Sequence, residues 1–479
     1  MRARTALLGL ALFTGVSCAE APPERPHVVF ISVDDLLPRL GCYGFGDAHT
    51  PNIDALARDG ALFERAYAQF AQCGPSRASV ITGLLPERCG VLSNDADFRV
   101  TIGDQRVMPE LFREAGWRTI ALGKVHHGQG ASDDERSWSE APWRPERWQR
   151  WYASEEARAQ QRAAEALVPE AQRQPVRAVI EDHADVDEGE FPDALIADEA
   201  IRRIAEHAND GARRGEPLFL AVGFLKPHLP FVSPKKYWDL HQGTNRALQG
   251  SAPVGAPEVA LHDSLELRAY LDVPDEGPFS PELASRLVRG YRACASFVDA
   301  QVGRVMQALE ESGMAEDTVV VLWGDHGWHF NELGIWAKQT NFEQALRVPL
   351  VIRGGGVRPG EVDSFVELVD LFPTLASLAG LDVPEGLDGR DLSGPLRGGD
   401  WPLELVAPRS QYPRGQVMGR SVRDEGYRYT EWEREGVVVA TELYEARVGV
   451  NEERNLADAG SGGAELARMQ ALMRERFAP

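Results

Sequence analysis

Cysteine is scarce in this sequence. Five of the 479 residues are cysteines, namely Cys18, Cys42, Cys73, Cys89 and Cys294. A disulfide framework of the kind that holds small secreted domains together is therefore excluded, and at most one bridge is expected. The chain must depend instead on a large buried core, for which its length and its 43% of hydrophobic residues are sufficient.

Basic residues are also in deficit. The chain has 51 Lys and Arg against 73 Asp and Glu, which gives a formal net charge of −22. This charge excludes nucleic acid as a partner, because binding a polyanion requires a basic face. A site for a small anion must therefore be a local cluster of Lys, Arg and His within an acidic protein.

A long apolar run occurs only near the N-terminus. The run at residues 7–16 follows two arginines and precedes Ala-Glu-Ala, an order typical of a secretory signal peptide. It is too short to cross a bilayer as a stable helix. We therefore predict a signal peptide at residues 1–21, a periplasmic or secreted protein, and no transmembrane span. A lipid anchor through Cys18 is the alternative, although Gly15 stands where a lipobox normally has Leu.

Short runs of apolar and β-branched residues recur along the chain, and they predict strands buried on both faces. They lie at residues 27–33, 118–122, 218–222, 318–323 and 348–352. Helical segments lie between them, for example one that starts at Thr50 and Pro51 and ends before Gly60. The alternation predicts an α/β fold with a large doubly wound, mainly parallel sheet flanked by helices.

Two regions differ from this pattern. Residues 132–190 are charged, rich in Trp and poor in strand signals, and we interpret them as an irregular or helical insertion over one edge of the sheet. From about Asp400 the sequence changes to short alternating segments followed by a helix near residues 464–477. We therefore predict a main α/β domain at residues 22–399 and a smaller domain on an antiparallel sheet at residues 400–479.

Polar residues directly follow two of the predicted strands. Asp34 and Asp35 come after the first strand, and Asp325 and His326 after the strand at residues 318–323. Ligands of doubly wound sheets bind beyond the carboxyl ends of the strands. Carboxylate oxygens from two strand ends suit a hard cation such as calcium. An imidazole is an unusual calcium ligand, so His326 can alternatively bond a nucleophile.

Cys73 begins the string C-G-P-S-R-A-S-V-I-T-G at residues 73–83, at the start of a predicted helix. A helix N-terminus favours anions and lowers the pKa of a thiol. The first five residues alone fit a structural cysteine at a turn equally well. The whole string resembles the signature of the sulfatases, in which this cysteine is oxidised to formylglycine.

Further strings, in the same order, extend the resemblance over nearly the whole mature chain and favour the iduronate-2-sulfatase branch of the family. They are V-D-D-L at 33–36, G-K-V-H-H at 123–127, F-L-K-P-H-L-P-F at 224–231, G-D-H-G-W at 324–328, W-A-K at 336–338, N-F-E at 341–343, R-V-P-L at 347–350, E-L-Y at 442–444 and E-R-N-L at 453–456. The resemblance implies a sulfuric ester hydrolase that acts on a sulfated carbohydrate, for example a 2-O-sulfated uronate. It also implies calcium as cofactor and a separate maturation enzyme that generates the formylglycine. The implied metal ligands are Asp34, Asp35, Asp325, His326 and the modified Cys73.

The resemblance also implies catalytic roles. One hydroxyl of the hydrated formylglycine attacks sulfur and the second later expels sulfate, which divides one difficult hydrolysis into two easier steps. His228 matches the proton donor to the leaving alcohol, and His127 the partner of the formylglycine hydroxyl, with His126 as the alternative to His127. The cations that match stabilisers of the transferring group are Arg77, Lys124 and Lys338.

Two other functions compete with this one. A phosphodiesterase or phosphonate monoester hydrolase of the same superfamily can share the cysteine motif and the metal site, but the L-K-P-H and W-A-K strings favour a sulfatase. An inactive protein that binds sulfated glycans would not need the nucleophile at Cys73. Substrate specificity is the open point, because residues 331–334 read N-E-L-G where the family commonly has G-E-H-G at the pocket rim. Three histidines in variable segments are assigned structural roles, namely His183, His207 and His262.

Overall fold

The computed structural model describes residues 25–127, 134–146, 148, 151–167, 177–211, 215–243, 250–401, 407–447, 452–457 and 463–478. The predicted signal peptide at residues 1–21, including Cys18, lies outside this part of the chain. Among the described residues, no helix combines the length and the apolar character needed to cross a membrane. The cysteines of this part are all free, namely Cys42, Cys73, Cys89 and Cys294.

Strands and helices alternate along the chain. The strands are β1 (His27–Val33), β2 (Ala61–Phe63), β3 (Ala66–Tyr67), β4 (Arg118–Gly123), β5 (Glu181–Asp182), β6 (Leu218–Phe224), β7 (Phe231–Val232), β8 (Thr318–Gly324), β9 (His329–Phe330), β10 (Trp336–Ala337), β11 (Arg347–Val348), β12 (Leu350–Arg353), β13 (Gly360–Val362), β14 (Val366–Glu367), β15 (Arg409–Arg414), β16 (Val417–Arg423), β17 (Tyr427–Arg434) and β18 (Val437–Glu445). The helices are α1 (Pro51–Arg58), α2 (Cys73–Thr82), α3 (Pro86–Cys89), α4 (Phe98–Ile102), α5 (Met108–Glu114), α6 (Glu155–Ala166), α7 (Pro192–Asn209), α8 (Lys235–Leu240), α9 (Leu265–Arg268), α10 (Pro281–Glu311), α11 (Glu343–Leu346), α12 (Leu371–Leu378), α13 (Ser393–Leu396) and α14 (Gly463–Arg476).

The core is a seven-stranded sheet in the order β13-β2-β12-β8-β1-β6-β4. Strands β8, β1, β6 and β4 pair in parallel, while β12 runs antiparallel to β8 and to β2. Successive residues of β1 point to opposite faces, where Val29 packs in the cluster with α1, α7 and α10, and Val28 in the cluster with α2, α5 and α12. The predicted mainly parallel α/β fold is confirmed.

Part of the insertion at residues 132–190 covers the edge strand β4. The Ser139 amide donates to the Thr119 carbonyl and the Trp143 amide to the Ala121 carbonyl, each at 2.9 Å, and the Gly123 amide donates to the Trp143 carbonyl at 2.9 Å. The backbone groups of this edge are therefore paired with the insertion, which protects them from pairing with another chain. The described part of the insertion also contains the helix α6 and the two-residue strand β5.

The last part of the chain forms the predicted antiparallel sheet, in which β15 to β18 pair in chain order and α14 packs on one face through Met469 and Met473. Buried ion pairs join this sheet to the rest of the protein. Arg428 in β17 contacts Glu343 at 2.6 Å and Glu452 at 2.7 Å, and Arg423 contacts Glu343 at 3.0 Å. The boundary near residue 400 therefore separates two sheets that are joined through charged groups, and its position stays a prediction.

Candidate active site

The candidate site lies where three strands of the main sheet end and α2 begins. Asp34 follows β1, Asp325 follows β8 and Lys124 follows β4, while Cys73 is the first residue of α2. These strands are parallel neighbours, apart from the intervening β6, so their carboxyl ends lie at the same edge of the sheet. The fold therefore brings together residues that are far apart in the sequence.

Three carboxylates converge at this edge, and Asp34, Asp35 and Asp325 are each 0% exposed. The Asp35 amide donates to Asp325 Oδ1 at 2.9 Å, and the Tyr291 hydroxyl donates to the Asp35 carbonyl at 2.7 Å. These bonds hold Asp35 at a φ of 61°, in the left-handed region that is unfavourable for a residue other than glycine. Potential metal-binding atoms lie within 4.8 Å of one another in two groups, one of Asp34, Asp35, Cys73 and His228 and one of Cys73, Asp325 and His326.

Three buried cations pair with these carboxylates. Arg77 donates from Nε to Asp325 Oδ2 at 2.8 Å and from a terminal nitrogen to Asp34 Oδ1 at 3.1 Å. Lys124 Nζ contacts Asp34 Oδ2. Lys338 Nζ lies 2.7 Å from Asp35 Oδ1. The formal charges of the three carboxylates and the three cations cancel.

The two adjacent aspartates differ in their electrostatics. Burial alone would raise the pKa of Asp34, but Lys124, His228 and Arg77 hold it well below its usual value. At Asp35 the effect of burial exceeds the attraction of Lys338, and its pKa lies well above the usual value. Asp35 is therefore a carboxylate whose negative charge lacks sufficient compensation from the protein.

Cys73 is 1% exposed, and two polar groups face its sulfur. His326 Nε2 lies 3.3 Å from Sγ, and Lys338 Nζ lies 3.7 Å from it. His326 Nδ1 is 3.1 Å from the Gly327 carbonyl, so Nδ1 donates there and Nε2 faces both Cys73 and Asp35 Oδ1, the latter at 3.3 Å. Burial opposes the charged imidazole, but Asp325 and Cys73 raise the pKa of His326 to about 9. The geometry is compatible with both roles predicted for this residue.

The predicted catalytic histidines line one cavity with Asp34 and Lys124. His228 Nδ1 lies 2.7 Å from the Leu229 carbonyl, which leaves Nε2 directed away from the backbone. Burial and then Lys338 lower the pKa of His228 well below its usual value, and burial and then Lys124 lower that of His127 to about 3. The ring of His126 packs against Phe98 with the centroids 5.7 Å apart, and His126 is not among the residues that line the cavity. This arrangement favours His127 over His126.

Several cavity residues have no counterpart in the sequence predictions. Asn94 accepts a hydrogen bond from the Gly74 amide at 2.9 Å and so holds the start of α2. Trp148, Trp151 and Arg177 belong to the insertion, and Glu266 belongs to the short helix α9. These residues stand outside the matched strings, so only the folded chain shows that they face the site.

The N-E-L-G string, where the chain departs from the family's usual G-E-H-G, does not line this cavity. Leu333, in the N-E-L-G string, is 1% exposed and packs in an apolar cluster with Phe342 and Trp432. Its side chain packs beside the C-terminal sheet, and the effect of this departure on substrate specificity stays a prediction. The structurally assigned histidines contact backbone or aromatic groups: His262 lies 2.7 Å from the Lys338 carbonyl, and His183 stacks on Trp238 at 4.1 Å.

Comparison with known proteins identifies the class. The family model described as Sulfatase matches residues 26–381, so the chain belongs to the sulfatase family and is a sulfate ester hydrolase. The iduronate 2-sulfatases of Homo sapiens and Mus musculus are 32% and 34% identical to it, over 86% and 85% of this chain and 86% and 84% of their own. Within the family the chain falls in the iduronate-2-sulfatase branch, as the matched strings predicted.

A solved structure shows how widely the fold is shared. The phosphonate monoester hydrolase of Agrobacterium radiobacter superposes with a TM-score of 0.73 at 24% identity, covering 95% of this chain and 96% of that one. At this identity the similarity shows a common fold. It does not show that the two enzymes share a substrate.

Proposed function

We propose that this sulfatase removes sulfate from a sulfated saccharide, with a formylglycine derived from Cys73 as nucleophile and a calcium ion bound by the carboxylates beside it. The observation that carries the proposal is the convergence of three fully buried carboxylates and three buried cations on one buried cysteine. Burying charge costs about several kcal/mol per ion, even when the ion is paired. A cysteine with only a structural role would not require so many buried charges around it.

The donor set fits calcium. Asp34, Asp35 and Asp325 offer hard oxygen ligands, each with more acceptor positions than the lysines and Arg77 occupy. A dication among these groups would compensate the negative charge of Asp35. Because the charges of the three carboxylates and the three cations cancel, the dication would also give the site a net positive charge, which an anionic sulfate ester can offset. When bound, the ion polarises the sulfate oxygens as a Lewis acid. His326 would complete the ligand set together with position 73.

The chain's own residues provide the remaining chemistry. The modified Cys73 supplies a hydroxyl that attacks sulfur and a second hydroxyl that expels sulfate. Lys124 and Lys338 are held in place by carboxylates, and Lys338 Nζ also lies 3.7 Å from Cys73 Sγ, so both charges are positioned near the nucleophile before the reaction begins. Arg77, fixed by Asp325 and Asp34, holds the first turn of α2 in place.

His228 is suited to protonate the leaving alcohol. Its Nδ1 is occupied by the Leu229 carbonyl, and its Nε2 faces the cavity. A bound sulfate ester adds negative charge close to this imidazole, which opposes the effects of burial and Lys338 and raises its pKa. The proton is then delivered to the oxygen of the breaking ester bond.

The insertion supports a saccharide as substrate. Trp148 and Trp151 contribute aromatic surface to the cavity, and Arg177 contributes a cation. Arg177 donates to the Glu266 carbonyl, which positions its guanidinium along the cavity wall. A guanidinium on the cavity wall suits the carboxylate of a uronic acid, in line with the substrate named for the iduronate 2-sulfatases.

The direct test is to incubate the purified enzyme with sulfated monosaccharides and disaccharides and to measure sulfate release by ion chromatography. Mass spectrometry of the peptide containing Cys73 should show formylglycine in the same preparation. We expect release from at least one 2-O-sulfated uronate. Hydrolysis of phosphonate monoesters without any release of sulfate would contradict the proposal.

Removal of calcium should inactivate the enzyme. We expect chelation with EGTA to abolish sulfate release and added calcium to restore it, since the ion compensates Asp35 and polarises the substrate. Asp35→Asn should lower calcium affinity by at least about 100-fold, because even indirect ligand partners contribute 10- to 100-fold. Calorimetric titration with calcium measures this loss. The exposed Asp275, replaced by Asn, is the control, and full activity in EGTA with no calorimetric signal would contradict the calcium assignment.

A further inference from the structure

Glu266 lies between two residues of the proposed catalytic machinery. Its Oε1 is 3.5 Å from His228 Nε2 and 3.6 Å from Lys338 Nζ, and its side chain is 11% exposed. Both distances exceed those of good hydrogen bonds. Its other oxygen, Oε2, is buried and makes no hydrogen bond to any described residue. Glu266 also lines the cavity, and its unpaired Oε2 is an acceptor that a ligand bound there could satisfy.

The chemistry of the carboxylate limits what can occupy that position. An ionised carboxylate only accepts hydrogen bonds, and leaving a buried acceptor unpaired costs free energy. A hydroxyl satisfies it, whereas a sulfate or carboxylate would be repelled. In the proposed function His228 protonates the ester oxygen and Lys338 stabilises the sulfuryl group, so a hydroxyl that reaches Glu266, which lies beside both, must be close to the ester bond.

We propose that Glu266 binds a free hydroxyl on the carbon next to the sulfated carbon, so that the enzyme selects monosulfated vicinal diols. This inference rests on the proposed function and narrows its substrate class. A second sulfate on the neighbouring oxygen removes the donor and places an anion against Glu266. The enzyme therefore acts on such a compound only after another sulfatase has removed the second sulfate.

A set of simple aryl sulfates tests this selection. In 2-hydroxyphenyl sulfate a hydroxyl neighbours the ester, in 2-methoxyphenyl sulfate that donor is blocked, and in phenyl sulfate it is missing. We expect the native enzyme to favour the hydroxyl compound in kcat/KM by about 10- to 100-fold, the range for a hydrogen bond to a charged group. Because the compounds differ in leaving group and size, the quantity to compare is the change in each ratio between native enzyme and variant.

Glu266→Ala should bring the preference close to 1, and Glu266→Gln should leave an intermediate value because its amide oxygen still accepts a hydrogen bond. Glu258→Ala, which changes an exposed glutamate away from the cavity, is the matched control and should keep the native ratio. Equal losses of Glu266→Ala on all three compounds would mean that Glu266 serves only His228, and would overturn the inference. If Glu266→Ala still releases sulfate and keeps the native preference for the hydroxyl compound, the inference is overturned as well, while the proposed function stands.

Discussion

Cys73→Ala is expected to abolish sulfate release and to leave the protein folded. The substitution removes the proposed nucleophile, and loss of a catalytic nucleophile commonly costs at least about 10⁴-fold in rate. Among the described residues, the hydrogen-bonding contacts of the Cys73 side chain are those to His326 and Lys338, so the effect on stability should be small. Ion chromatography of released sulfate and thermal unfolding measure the two quantities separately.

Cys73→Ser provides the sharper control. Its hydroxyl is close in size to the thiol, but it lacks the geminal partner that expels sulfate from the covalent intermediate. In a host whose maturation enzyme accepts only cysteine, it should be as inactive as Cys73→Ala. Turnover by Cys73→Ala at an ordinary rate would remove position 73 from the nucleophile role.

His228→Ala should impair the hydrolysis of sugar sulfates far more than that of nitrophenyl sulfate. An alkoxide is a poor leaving group that needs a proton, whereas nitrophenolate departs with little assistance. General acid catalysis typically contributes about 10²- to 10⁴-fold, so we expect a loss in this range for the sugar ester and less than about 10-fold for the aryl ester. Steady-state kcat/KM values on both substrates measure the difference.

His126, which does not line the cavity, supplies a control for this experiment. His126→Ala changes a ring that packs on Phe98 and should keep the native ratio between the two substrates. Equal losses of His228→Ala on sugar and aryl sulfates would exclude His228 as the proton donor. Good activity of the native enzyme on aryl sulfates, with none on any sulfated sugar, would overturn the saccharide assignment.

The sequence predicted the part of the site that is determined locally. Asp34, Asp35 and Asp325 directly follow strands, and parallel strands must bring their carboxyl ends to one edge of the sheet. The alternation of apolar runs and helical segments was likewise sufficient to predict a mainly parallel sheet. Predicting the sheet needed no knowledge of how distant segments pack.

The remaining residues of the cavity could not be predicted in this way. Arg177 and Glu266 reach the site through segments whose paths depend on packing between distant parts of the chain. Leu333 is a second example, because the sequence shows only that this position departs from the family's pattern. Its apolar side chain packs against Trp432 of the C-terminal sheet, a contact that no local sequence pattern predicts.

The burial of Cys73 has a consequence for how the enzyme is produced. Every residue of α2 is buried, and the thiol lies behind His326 and Lys338, so another enzyme cannot reach it in the folded protein. The proposed oxidation must therefore take place before the chain has folded. A molecule that folds first becomes a well-formed but permanently inert copy. The specific activity of any preparation would then record the competition between folding and modification during biosynthesis, and slower folding or more maturation enzyme in the expression host should raise it.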